Sequence, residues 1–260
     1  MKSILVFILA TACVLQACAP APQPQPTAVP PTTAAPSEPP APTATTVPTD
    51  TPVPTEPAKP TGTSLPEGVL FRDDFNGELQ PGWQWENENP ARWSFTPDGW
   101  LQIIGEPDSL LAKNARQTNL LWYPLPPGDF AIAVHLKTKP FANFHQAAIF
   151  LYQDPDNYVT INRGYCGVCS TAGNGFYMDY KIGGEWGDYR AATSAEDVYL
   201  RLESKGSVIS GYYATAPDQW TRLGRFGNYF QFQKVGIGVS NAGAQDDVLG
   251  QYDYFEISTP

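Results

Sequence analysis

Proline and glycine divide this chain in two. Sixteen of its 27 prolines lie between Pro20 and Pro66, and 21 of its 22 glycines lie after that point. Residues 19–66 are mostly Pro, Thr and Ala, with Glu38, Asp50, Glu56 and Lys59 as the only charges and no aromatic residue. Such a segment has nothing to bury against the entropy of ordering, so it stays disordered. Repeated prolines favour an extended polyproline II spacer, and at about 3.1 Å per residue it reaches at most roughly 150 Å. Residues 67–260 are long enough for one domain with a sizeable core. The whole chain holds 26 acidic and 16 basic side chains, a net charge of −10. That balance excludes nucleic-acid or anionic-membrane binding through a basic patch. Two histidines and two methionines exclude a His-rich metal centre or a copper-binding Met cluster.

The first residues read as an address. Lys2 precedes the short apolar run Ile4–Ala10, and small residues follow, as in a secretory signal peptide. The run is too short to span a bilayer as a mature helix. Leu15-Gln16-Ala17-Cys18 resembles the lipobox of bacterial lipoproteins, in which the cysteine becomes the lipid-modified first residue, although Gln16 replaces the usual small residue. The expectation is a signal peptide over 1–17, a disordered stalk over 18–66 attached at Cys18, and an extracytoplasmic domain over 67–260. The alternative is a freely secreted protein in which Cys18 is incidental.

Beyond Glu67 the hydrophobic pattern has period two. Phe130–Lys137 alternates large apolar with small or polar residues, the mark of a strand buried on one face. Similar runs recur at 100–104, 147–152, 158–163, 176–182, 198–203, 208–213, 235–239 and 252–257. Turn signals such as Pro97-Asp98-Gly99, Pro127-Gly128-Asp129 and Gly183-Gly184 separate them. No stretch has helical spacing and no fixed-period repeat is present. Many short strands punctuated by Gly and Pro predict an all-β, antiparallel two-sheet fold.

Phe71-Arg72-Asp73-Asp74-Phe75-Asn76-Gly77, Trp83-Gln84-Trp85 and Asn89 to Phe95 resemble the opening of concanavalin A-like sandwiches. The likeness is greatest to the C-terminal β-sandwich of bacterial β-xylosidases and α-arabinofuranosidases. Asp154 to Tyr158 and Asp253-Tyr254-Phe255-Glu256-Ile257 match its middle turn and final strand. The resemblance implies a jelly roll of the concanavalin A-like or laminin G-like kind, with a concave face often used to hold carbohydrate. It also implies a structural calcium ion where the first and last strands meet, with Asp73 or Asp74 and Asp253 as ligands. Calcium takes six to eight oxygens, so carbonyls and water would complete the set. Phe255 and Ile257 share the face of Asp253 by strict alternation, which would place that carboxylate beside the core. The competing reading is that Asp73 and Asp74 begin a turn and pair with Arg72 or Arg92.

Sandwich glycosidases of this architecture carry a Glu-x-Asp-x-x-Glu set on one strand, and this sequence has none. No Gly-x-Ser-x-Gly elbow surrounds any serine. Cys166-Gly167-Val168-Cys169 could be half a zinc site, a redox pair or a local disulfide. No further cysteine lies in the domain to complete a four-cysteine site, and an extracytoplasmic location favours oxidation, so a disulfide is expected.

Aromatic residues are abundant, and strands and cores account for most of them. Alternation sorts the rest. If Phe176, Met178 and Tyr180 face the core, Tyr177 and Asp179 face outward. If Val159 and Ile161 face inward, Tyr158, Thr160 and Asn162 do not. Tyr158, Asn162, Tyr177, Asp179 and Trp186, the last placed in a glycine-rich loop, are the candidate sugar contacts. The expected function is non-catalytic binding of a polysaccharide or other glycan by a monomeric, lipid-anchored surface protein. The alternatives are a hydrolase or lyase with carboxylates from separate strands, and an envelope protein contacting another protein. Replacing Cys18 with alanine should abolish palmitate labelling and release the protein; absence of label in the wild type would remove the anchor.

Overall fold

The computed structural model describes residues 65–107, 118–169, 173–241 and 246–260. All belong to the compact unit Pro60–Pro260. Cys18, the signal segment and nearly all of the stalk lie outside the described residues.

Two antiparallel sheets face each other. One consists of β13 (Thr221–Gly227), β12 (Val208–Ala214), β11 (Asp197–Lys205), β6 (Phe130–Thr138), β15 (Val248–Ser258), β4 (Leu101–Gly105) and β3 (Trp93–Phe95) in that order, with β1 (Val69–Asp73) also paired to β15. The other runs β10 (Glu185–Ala192), β9 (Gly173–Ile182), β8 (Asn157–Cys166), β7 (Gln146–Asp154), β14 (Lys234–Ser240), β5 (Leu120–Pro124) and β2 (Gln84–Glu86). The two-sheet sandwich is therefore as expected, and each of the nine runs with two-residue alternation falls on a strand. The core lies between the sheets. Ile132, Val134, Leu136, Leu200 and Leu202 from the first meet Ile149, Leu151, Val159, Ile161, Met178, Val235 and Ile237 from the second, all fully buried. Full burial of each such side chain contributes about 1.5–3 kcal/mol.

Polar groups inside the sandwich are satisfied by name. Tyr252 of β15 is fully buried, and its hydroxyl donates to Gly238 O of β14 at 2.8 Å while accepting from Ala148 N of β7 at 3.1 Å. One phenol thus ties the two sheets together. Arg163 is 1% exposed and has no carboxylate in its hydrogen-bond set. Its guanidinium donates to Ala195 O at 2.7 Å, Gly164 O at 2.8 Å and Asn174 Oδ1 at 3.1 Å. Burial pushes its pKa down to about 10.

The chain ends meet as expected, because β1 pairs with β15 from Val69 to Asp73. The carboxylates there take other roles. Asp73 is buried and accepts from Phe75 N, Gln80 N and Trp83 Nε1 at 2.8–2.9 Å, closing the turn after β1. Asp74 pairs with Arg72 at 2.7 Å. A register shift between Tyr252 and Tyr254 breaks the alternation of β15. It turns Asp253 away from the face of Phe255 and Ile257, leaving the side chain 42% exposed with its carboxylate 2.8 Å from His135 Nδ1. The expectation that Asp253 lies beside the core is corrected by this bulge. Asp74 and Asp253 thus have different side-chain partners, Arg72 and His135.

Tyr252→Phe should lower stability by about 1–3 kcal/mol, since it leaves buried backbone groups unpaired while keeping the ring. Urea denaturation should show a reduced midpoint with an unchanged slope; an unchanged midpoint would deny the hydroxyl this role.

Candidate functional site

Because β8, β9 and β10 bury one face each, their other faces are forced outward together. The register aligns them in rows: Tyr158 opposite Lys181 opposite Trp186, then Thr160 opposite Asp179 opposite Asp188, then Asn162 opposite Tyr177 opposite Arg190. These rows make the floor of a cavity of about 670 Å³, whose wall includes Phe144, His145 and the loop of Cys166 and Cys169. The five candidate sugar contacts, Tyr158, Asn162, Tyr177 and Asp179 from alternation and Trp186 from the glycine-rich segment, all line it.

Trp186 is placed differently from expectation. It lies on β10, an edge strand rather than a loop, and the strand is short of apolar alternation because Gly187 occupies an inward position. A Cβ at Gly187 would stand 2.1 Å from the Tyr180 ring, so only glycine lets Tyr180 pack beneath the strand. Read as a strand, the segment would have shown Asp188 and Arg190 on the face of Trp186; sequence reasoning missed both.

The aromatic residues differ in what they present. Trp186 is 65% exposed and offers a ring face, with Tyr158 set edge-on to it at 5.7 Å and almost wholly buried. Tyr177 is also buried, and its hydroxyl donates to Gly173 O at 2.7 Å, so it builds the wall. Cys166 and Cys169 form the expected disulfide. Their loop is held by Gly167 N donating to Asn143 Oδ1 at 2.6 Å and by Arg190 donating to Cys169 O. Phe144 and Val168 leave apolar surface on this wall.

The middle row carries the charge. Asp188 pairs with Arg190 at 2.5 Å. Asp179 sits deeper and accepts a hydrogen bond from Asn162 Nδ2 at 3.0 Å. Burial raises its pKa to about 6; the Asn162 bond opposes that rise and the Asp188 charge adds to it. Thr160 Oγ1 leans toward Asp179, yet it satisfies hydrogen-bond geometry with no atom. His145 is fully buried, and burial pushes its pKa down. Its Nδ1 accepts from Phe141 N at 3.4 Å, so Nε2 carries the proton, and Nε2 has no hydrogen-bond partner. Among the described residues no group of three or more His, Cys, Asp or Glu could hold a metal. The arrangement suits a polyhydroxylated ligand: an apolar ring face beside acceptors and unpartnered donors.

Comparisons with known proteins agree with this architecture. Residues 72–258 match the family described as the beta-xylosidase C-terminal concanavalin A-like domain. Among solved structures, the GH43 protein BlXynB of Bacillus licheniformis is similar with a TM-score of 0.64 at 21% identity, over 73% of this chain and 39% of that one. The xylan beta-1,4-xylosidase of Bacillus halodurans C-125 gives 0.60 at 17%, over 78% and 41%. The Bacteroides ovatus Xyloglucan PUL GH43B gives 0.63 at 15%, over 78% and 42%. At these identities the likeness concerns the fold, and this chain spans well under half the length of each enzyme. No curated protein matches it.

The unfolded chain holds Asp179 near the ordinary aspartate value of about 3.9. The folded chain holds it at about 6, so it binds more protons between those values and loses stability as pH rises through them. Asp179→Asn removes this loss. Its melting temperature should exceed that of the wild type at pH 8 and not at pH 4; a lower value at pH 8 would contradict the assignment.

Proposed function

Since residues 72–258 make this chain a member of the beta-xylosidase C-terminal concanavalin A-like domain family, we propose that its cavity on the outer face of β8–β10 binds carbohydrate without transforming it. The observation that carries this reading is the placement of the exposed Trp186 face beside Asp179, Asn162 and Thr160 on one floor. A pyranose stacks its C–H face on an aromatic ring and gives its hydroxyls to polar neighbours at the edge. The cavity volume falls within the ordinary range for small-molecule sites, about 300–1,000 Å³. Xylan and xyloglucan fragments are the first ligands to try, because similar structures are named for these polysaccharides. We further propose that the domain works at the cell surface on the proline-rich stalk, anchored through Cys18. The apolar rim at Phe144 and Val168 is small, which favours a sugar over a protein partner.

A second reading has its own observation. Asp179 and Asp188 stand opposite each other on neighbouring strands, one recessed and one paired with arginine. Two carboxylates in unequal surroundings are the equipment of glycoside hydrolysis. Release of reducing ends by the wild type, lost in both Asp179→Asn and Asp188→Asn, would establish hydrolysis; binding without release leaves the first reading standing.

Glycan-array screening followed by calorimetry tests the binding reading. Trp186→Ala should weaken affinity for an identified glycan at least tenfold, about 1.4 kcal/mol. Tyr177→Ala should also weaken it, through the wall. If both variants bind like the wild type, the cavity is not the site.

A further inference from the structure

The middle row of the cavity floor holds two carboxylates, and Arg190, which pairs with Asp188, also exerts its charge on Asp179. Asn162 supplies the one hydrogen bond to Asp179 among the described residues, and it goes to Oδ2. Thr160, on the neighbouring strand, brings a buried hydroxyl that lies near Asp179 without satisfying hydrogen-bond geometry, and it lines the same cavity. Thr160 is 4% exposed. Unpartnered buried polar atoms are costly and call for a partner. Resting on the carbohydrate reading, we propose that the cavity selects uncharged saccharide units over uronate-bearing ones, that Asp179 is the residue that decides this, and that binding weakens as the solution turns acidic.

The selection follows from the charges that face the ligand. Asp188 and Asp179 both face the cavity from the floor. Arg190 is occupied by Asp188 and Cys169 O. Lys181, on the face of Asp179, donates to Pro155 O at 3.1 Å and pairs with Asp156 at 2.8 Å, with its ammonium 5.8 Å from the Trp186 ring centroid. A uronate carboxylate would therefore meet two like charges, while the nearest cations, Arg190 and Lys181, are already paired with Asp188 and Asp156, a juxtaposition that disfavours binding. Neutral hydroxyls meet the opposite situation. Each can donate to the Asp179 carboxylate in a charge-assisted hydrogen bond, roughly twice as strong as a neutral one.

The pH response follows from the same carboxylate. Around Asp179 the other groups are Tyr158, Thr160 and Asn162 of β8, Tyr177 and Lys181 of β9, and Asp188 and Arg190 of β10, with His145, whose pKa burial lowers, farther along the cavity wall. Asp179 takes up its proton near pH 6. A ligand that binds the carboxylate then competes with that proton, so affinity falls up to tenfold per pH unit below this value. Between pH 7 and pH 5 the expected loss is about tenfold.

The experiment presents the full chain to an array of matched oligosaccharides at pH 7 and pH 5. Neutral xylo-, gluco- and galacto-oligosaccharides are paired with glucuronate- and galacturonate-bearing counterparts. Neutral members should be retained, uronate-bearing ones should bind at least tenfold more weakly, and the retained affinity should drop about tenfold at pH 5. Asp179→Asn should bind weakly with a flat pH profile. Equal or stronger binding of uronates, or a flat profile in the wild type, overturns the inference; if that binding still falls in Trp186→Ala, the carbohydrate reading survives it. Retention of no glycan at either pH overturns both.

Discussion

Burial of Val159 and Ile161 on β8 and of Phe176 and Met178 on β9 sets the register between these strands, and the cavity depends on that register. A strand has a period of two, so a slip of one residue would carry Tyr158, Thr160 and Asn162 into the core and expose the aliphatic set. The inner face is specified by hydrophobic burial worth several kcal/mol per pair of side chains. The outer face inherits its alignment from it. The outward rows converge on one floor because their inward neighbours pack, and contacts such as Asn162–Asp179, Asp188–Arg190 and Tyr158–Trp186 follow from that alignment.

The sandwich tolerates polar groups inside it by giving them partners. Tyr252 spans the sheets through its hydroxyl, Asp73 closes a turn with three donors, and Arg163 lies among carbonyls. On the cavity floor the pattern is different. Asp179 is recessed with one hydrogen bond, while Thr160 and His145 keep unpartnered atoms. Unpartnered buried atoms also occur away from the cavity, at Arg92 Nε and Asn241 Oδ1, so what sets the floor apart is a recessed carboxylate beside such an atom, a local rule broken as it often is at functional sites. The raised pKa of Asp179 expresses the same imbalance, since it records how poorly the empty floor supports a charge.

The family to which the chain belongs is known here as one domain of longer enzymes, and the similar structures contain this sandwich as less than half of their length. In this chain the sandwich follows a proline-rich segment that cannot build a core. In the proposed arrangement the fold's outer face holds sugar and the proline-rich segment serves as its spacer. Its chemistry would then lie in recognition, through one exposed indole and one recessed carboxylate.

Sequence alone determined the features that depend on local pattern. Alternation identified the long strands and the outward faces of β8 and β9, since a half-buried strand must alternate wherever it lies. Cys166 and Cys169 were legible because so short a spacing leaves few pairings. Tertiary structure decided the rest. Trp186, Asp188 and Arg190 belong to an edge strand whose apolar contacts are few, so its pattern was weak, and pairing with β9 made it a strand. Asp253 was misplaced because a bulge in β15 shifts the alternation by one, and that bulge is visible only against β6. His145 entered the cavity wall from outside any patterned segment. Periodicity reports which side of a strand is buried, but it carries no information about which strands become neighbours, and a site shared by three strands exists only once they do.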